Sequence, residues 1–156
     1  LLSRLESLRG EVIRLIYNNC PNESHYFIPH LYGVSSFCVL LAKRRGLDAE
    51  LAAACGLLHD IYQVTHGTIN NHAVNGAVVA EEILRAIGHY SEEEIRVIAT
   101  AVSKHSKKRK FHEPYDELLK DADVLDHSLH NPNHPIIDKE KLRYENLMIE
   151  LGCSRD

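Results

Sequence analysis

The chain has 156 residues, of which 44% are hydrophobic and 26% charged, and a formal net charge of −4. These are the proportions of an ordinary globular protein long enough to bury a sizeable core in one domain. The acidic balance excludes a broad basic nucleic-acid surface as the main business of the protein, though not a local basic site.

Cys20, Cys38, Cys55 and Cys153 are scattered without any short spacing. Cys38 and Cys55 fall among apolar residues, where a thiol behaves as a small buried hydrophobe, so free cysteines in a reducing cytoplasm are expected. No uninterrupted apolar run approaches the roughly 18–20 residues needed to cross a bilayer, and no signal-peptide core is visible, so no membrane partner is expected. The first residue is not Met, from which a native beginning further upstream is expected. The abnormal count is histidine, 11 in all.

Leu5, Leu8, Val12, Leu15 and Ile16 recur at spacings of three and four and predict a first helix ending near Asn18-Asn19. Pro21 to Ser24 reads as a turn. A second helix is predicted from about Ile28 to Arg45, stopped by Gly46. Asp48 suits the N-cap of a third, Ala- and Leu-rich helix reaching about Tyr62. Residues 65–71 form a loop before a fourth helix, His72 to Ile87, closed by Gly88. Ser91 and Glu94 make a capping-box pattern opening a fifth helix to about Lys104. Lys107 to Pro114 is a charged loop, Tyr115 to Leu129 a sixth helix, and Lys139 to Leu151 a last one after Asn131-Pro132-Asn133-His134-Pro135. No segment alternates like a strand. The reading is one all-α domain over 1–156, a bundle of about six to seven helices.

His59-Asp60 closes the most apolar of these helices, and a buried carboxylate there is costly unless paired or bound to a metal. Adjacent helix residues point about 100° apart, yet both reach an ion lodged in a groove between helices. Imidazole and carboxylate together suit a divalent transition metal. Two such ligands are too few for tight binding. His30 on the preceding helix is one further candidate, and Asp123 in Lys120-Asp121-Ala122-Asp123-Val124-Leu125-Asp126 is another, with Asp121 as the alternative in that run.

The order His…His-Asp…Asp, each piece on its own helix, resembles the HD superfamily of metal-dependent phosphohydrolases. The matching pieces are His30 with Val34, Leu57-Leu58-His59-Asp60-Ile61, His72 with Asn75-Gly76-Ala77, His105-Ser106, and Asp121-Ala122-Asp123-x-Leu125-Asp126. They run from about Ser24 to Leu129, which implies an HD-type core over about 24–130 with flanking terminal helices. The resemblance implies that His30, His59, Asp60 and Asp123 hold a first metal, and that His72 and His105 add a second ion with Asp60 bridging. One or two divalent ions are expected, Fe or Mn favoured, with Zn, Co and Ni also admitted. Where many relatives have H-x-x-R-V, this chain has His30-Leu31-Tyr32-Gly33-Val34, which removes whatever that Arg does for the pocket.

The reaction so implied is hydrolysis of a phosphate ester or anhydride, of a small phosphorylated substrate such as a nucleotide or dinucleotide, by a metal-activated hydroxide. Asp60 would orient the nucleophile. Lys104 and Lys107, in the basic cluster with Lys108, Arg109 and Lys110 around His105, would meet phosphate oxygens unless the run is simply a solvated loop. Tyr26, Tyr32 and Tyr62 either line the pocket or pack inside. His25, His66, His89, His112, His127, His130 and His134 are read as surface residues or as supports behind the ligands. Two other classes fit the same pattern: a di-iron oxygenase on this fold, and a non-catalytic nucleotide-binding HD module. A homodimer is compatible with the sequence.

Overall fold

The computed structural model describes residues 3–153. The domain read over 1–156 is thus seen without its first two and last three positions, which lie outside the described residues.

The elements in order are α1 (Arg4–Asn19), a 3-10 turn (Pro21–Glu23), α2 (Ser24–Arg45), α3 (Ala49–Leu58), α4 (Ile61–His66), α5 (His72–Ile87), α6 (Glu92–Lys104), α7 (Pro114–His130) and α8 (Asp138–Glu150). The described residues contain no strand, and the all-α bundle of the HD type is what the molecule adopts.

The local signals explain most boundaries. Asp48 Oδ1 accepts from the backbone N–H groups of Glu50 and Leu51 and starts α3. Ser91 and Glu94 satisfy each other's backbone donors and start α6. Gly46 takes the left-handed conformation (φ 69°) that ends α2. Two boundaries differ from expectation. α2 begins at Ser24 rather than Ile28, carrying Pro29 at its sixth position, past the first turn, where it takes one N–H out of the helical ladder. The third predicted helix breaks in two at His59-Asp60, giving eight α-helices among the described residues instead of seven. Asp60 there has φ −109° and ψ 19°, in the sparsely populated region between helix and strand that is common at functional sites.

The core is a continuous apolar cluster including Leu31, Val34, Leu41, Leu57, Leu58 and Leu125. α2 packs on α3 and α7, and α5 packs on α6. The α2–α3 crossing is close because Gly56 has no side chain: a Cβ there would lie 2.5 Å from Ser35 Cα. This approach carries His30 and His59 towards each other.

The segment 21–45 does reach bilayer-crossing length and hydropathy, which corrects the expectation drawn from uninterrupted apolar runs. Its apolar residues serve the protein interior: Phe27, Leu31, Val34, Cys38 and Leu41 are buried against the bundle. All four cysteines are free, Cys38 and Cys55 buried among these residues.

Candidate metal centre

Three histidines are positioned by one local device. His59 Nδ1 lies 2.8 Å from Gly56 O, His105 Nδ1 2.7 Å from Val102 O, and His72 Nδ1 2.9 Å from Ile69 O, each bonding the carbonyl three residues earlier. Gly56 sits in the last turn of α3, where carbonyls lack helical partners, and Val102, in the last turn of α6, also accepts the His105 backbone N–H. His30 Nδ1 instead meets Asp126 Oδ2 at 2.7 Å. In all four rings Nδ1 faces an acceptor and so carries the hydrogen, which leaves Nε2 with a bare lone pair.

Those lone pairs converge. His30 Nε2 and His59 Nε2 are 3.0 Å apart, and His72 Nε2 and His105 Nε2 are 3.1 Å apart. Asp60 lies between the pairs: its Oδ2 is 3.4 Å from both His30 and His59 Nε2, and its Oδ1 is 3.4 Å from His72 and 3.3 Å from His105 Nε2. Asp123 Oδ1 closes the first group at 3.7 Å from His30 and 3.6 Å from His59. Facing lone pairs at such distances repel unless a cation sits among them. The two carboxylate oxygens Asp60 Oδ1 and Asp123 Oδ1 are buried and take part in no hydrogen bond, which is costly without a cation. Ligands bound about 2.0–2.2 Å from one ion lie about 3.0–3.6 Å from each other, and the observed separations match. The residues present therefore fit divalent metal: His30, His59 and Asp60 form a first group, with Asp123 beside both of its imidazoles, and Asp60, His72 and His105 form a second.

Burial opposes charge on Asp60, but the imidazoles around it, His59 foremost, hold its carboxyl well below the usual range. Asp123 is likewise opposed by burial and held far down, chiefly by the Lys108 ammonium. Burial would lower His30, yet its bonds to Asp126 and Asp60 push it up to about 10. Burial lowers His105.

All six sequence-predicted ligands are thus brought together, with His30, His59, Asp60, His105 and Asp123 buried and the His72 side chain 21% exposed. The alternative at Asp121 is corrected: it is paired with Arg45 and Arg143 at 2.7 Å each. The assignment of Lys104 also changes. Lys104 Nζ is bound to Asp116 Oδ2 at 3.1 Å, and Asp116 lies seven residues before Asp123, about 10 Å along the helix. Lys104 is therefore committed away from the cluster, and Lys107 is exposed. The cation that reaches the site is Lys108, only 6% exposed, bonded through Nζ to His105 O at 2.8 Å and to Asp123 Oδ2. The loop carrying it is not a solvated tether. Arg143 donates to the carbonyls of Lys108 and Lys110, and the fully buried Lys120 donates to Lys110 O at 2.8 Å. A charge run gives no hint of which member turns inward.

Sequence reasoning gave Asp126 no role and read His127 only as a surface residue or a support behind the ligands. Asp126 fixes His30, and Gly33 makes the space: a Cβ at 33 would stand 2.0 Å from Asp126 Oδ1. The departure from H-x-x-R-V is matched by this carboxylate. Tyr26, half exposed, stacks on His30 with ring centroids 5.6 Å apart. Tyr62 stacks on His66 outside the cluster, at 4.2 Å. A 570 Å³ cavity beside α8 includes Arg45, Lys108 and Arg143 in its wall. Its buried cations are already paired with Glu117, Asp121, Asp123 and Glu150, so the imidazole cluster is the better-supported site.

The fold and the site together define a helical bundle that gathers histidines and aspartates around a shared carboxylate. Residues 27–128 match the HD domain family, and the chain belongs to it. That places it in the superfamily of metal-dependent phosphohydrolases, whose domains bind divalent metals. It is similar to ribonuclease Y of Lawsonia intracellularis, 34% identical over 95 residues, covering 55% of this chain and 18% of that protein. It is also similar to ribonuclease Y of Thermobifida fusca, 34% identical over 84 residues, covering 49% of this chain and 17% of that protein. The chain thus spans less than a fifth of these relatives' length. No solved structure matches it.

Proposed function

We propose that this protein hydrolyses a phosphate ester or anhydride of a small substrate, a nucleotide or dinucleotide, with two divalent ions held at His30, His59, Asp60, Asp123, His72 and His105. The single observation that carries the reading is Asp60, whose two oxygens each face a separate pair of imidazole lone pairs. Bound metal would supply a water acidified towards neutrality and would neutralise charge on a phosphoryl oxygen. The chain's residues supply the rest. Asp60 holds both groups in register. Lys108 keeps the Asp123 carboxylate ionised and aimed inward. Tyr26, half exposed beside His30, offers a face to an aromatic base. Lys107, exposed two residues beyond His105, is the candidate clamp for phosphate oxygen.

The name of the ribonuclease Y relatives supports ester cleavage as the chemistry. With a net charge of −4, a small substrate is favoured over RNA here. The test combines elemental analysis of the purified protein with an anaerobic screen of phosphomonoesters, phosphodiesters, nucleotides and dinucleoside polyphosphates. Metal-dependent phosphate or nucleotide release is the expected result. Oxygen uptake with iron bound, and no anaerobic turnover, would move the assignment to a di-iron oxygenase. Metal binding without any turnover would leave a nucleotide-sensing module.

A further inference from the structure

His127 stands one helical turn after Asp123 on α7 and points into the first group of ligands. Its Nδ1 faces the buried carboxylate of Glu140, 3.2 Å from Oε1 and 3.4 Å from Oε2. That contact places the ring hydrogen on Nδ1 and leaves the lone pair on Nε2, the same arrangement as in the four histidines already described. Its ring is nearly parallel to His30, 3° between planes and 5.4 Å between centroids, so the two rings share an orientation. Nε2 lies 3.3 Å from Asp123 Oδ1. A hydrogen on Nε2 would find that oxygen as its acceptor, yet Asp123 Oδ1 takes part in no hydrogen bond. Three imidazole nitrogens, from His30, His59 and His127, thus stand around one unpaired buried carboxylate oxygen. Ligand atoms of His30, Asp123 and His127 all lie within 4.8 Å of one another.

We infer that His127 is a seventh metal-binding side chain, an additional imidazole ligand for the ion at His30, His59, Asp60 and Asp123, oriented by Glu140. Glu140 belongs to α8, outside the matched segment 27–128, so the ligand is set by a helix that the family match does not cover. With its side chain 42% exposed, His127 is the one imidazole of the first group that incoming substrate can displace without unpacking the core.

The inference rests on the metal-centre reading, and its test separates the two. The protein is loaded with Co(II), and exchangeable imidazole N–H resonances shifted far outside the normal range by the paramagnetic ion are counted by proton NMR. Each ligated ring with its hydrogen on Nδ1 gives one. The expected count is three with one ion bound at the first group and five with both. Counts of two and four in the wild-type protein would overturn the inference, and no variant is needed for that comparison. His127→Ala is expected to lose one resonance and to weaken the first ion by about tenfold or more in competition with a chelator. Weaker binding with an unchanged count would make His127 a positioning residue and overturn its role as ligand. Absence of any shifted resonance would instead sink the metal centre itself.

Discussion

The two halves of the imidazole cluster share Asp60 but are enclosed differently. The first half has a second carboxylate, Asp123, and an ammonium from Lys108 against that carboxylate's other oxygen. Asp126 braces His30 from behind, and its imidazoles at 30 and 59 are buried. The second half has His72 and His105 with one oxygen of Asp60, and His72 is partly open to solvent. No carboxylate stands behind either of its rings; backbone carbonyls do. More negative charge, more ligands and less water favour tight binding in the first half. On the two-ion reading proposed above, the second half would hold the more readily exchanged ion.

The largest effect to expect is at the residue the halves share. Asp60→Asn keeps the shape and removes the charge, so both ions should be lost, leaving less than one metal per chain by elemental analysis. Turnover should fall about 10³-fold or more, since the electrostatic support of the reaction leaves with them. Retention of one tightly held ion would break the picture of a bridging carboxylate. His72→Ala comes next. It should remove one ion of two and leave the first in place, and equal loss of both would contradict the difference between the halves.

How much of this was legible in the sequence follows from how each residue reaches the site. His59, Asp60, His30 and Asp123 could be named from the residues, because a carboxylate among apolar residues needs a partner and neighbouring helices offer further ligands, whereas His72 and His105 came only through the resemblance to the HD superfamily. The convergence of His59 and Asp60 could not be derived from helix geometry, since neighbours on one helix diverge. The chain solves this by breaking the helix between α3 and α4 at those two residues. Lys108 was hidden for another reason. Four basic residues in a loop look alike until Arg143 and Lys120, from α8 and α7, fix the loop's carbonyls and turn one ammonium inward. His127 depended on Glu140, thirteen residues on, across a turn rich in Pro and Asn.

Lys108 sharpens the comparison because only the first half contains an internal cation. Lys108→Met should leave the Asp123 carboxylate buried without its ammonium. The metal-free protein should lose about 3–5 kcal/mol of stability, as when one partner of a buried pair is removed. Saturating divalent metal should recover most of that, because the ion takes over the compensation of charge. Thermal unfolding with and without metal measures both. An equal loss of stability in the two states would mean that the lysine serves the loop rather than Asp123.

The smallest expected effect concerns α8, which leads through Arg143 to Lys108 and through Glu140 to His127, and so backs the first half. Its docking joins the buried Leu147 to a set of ion pairs: Arg143 pairs with Glu117 and Asp121, and Glu150 with Arg45. Burial would raise the Glu117 carboxyl, but Lys120 and Arg143 hold it below its ordinary value, and Arg45 does the same for Glu150. A carboxyl lowered in the folded state adds stability that is fully present above its unfolded pKa, about 4.3. That stability is lost as the pH falls through the lower folded values. These pairs are partly exposed, so each is worth about 1 kcal/mol or less. Between about pH 4.5 and pH 3, amide exchange should therefore speed up in α8 before it does in α3, whose buried residues are all apolar. Simultaneous loss of protection in both helices would show that the first half draws no separate support from α8.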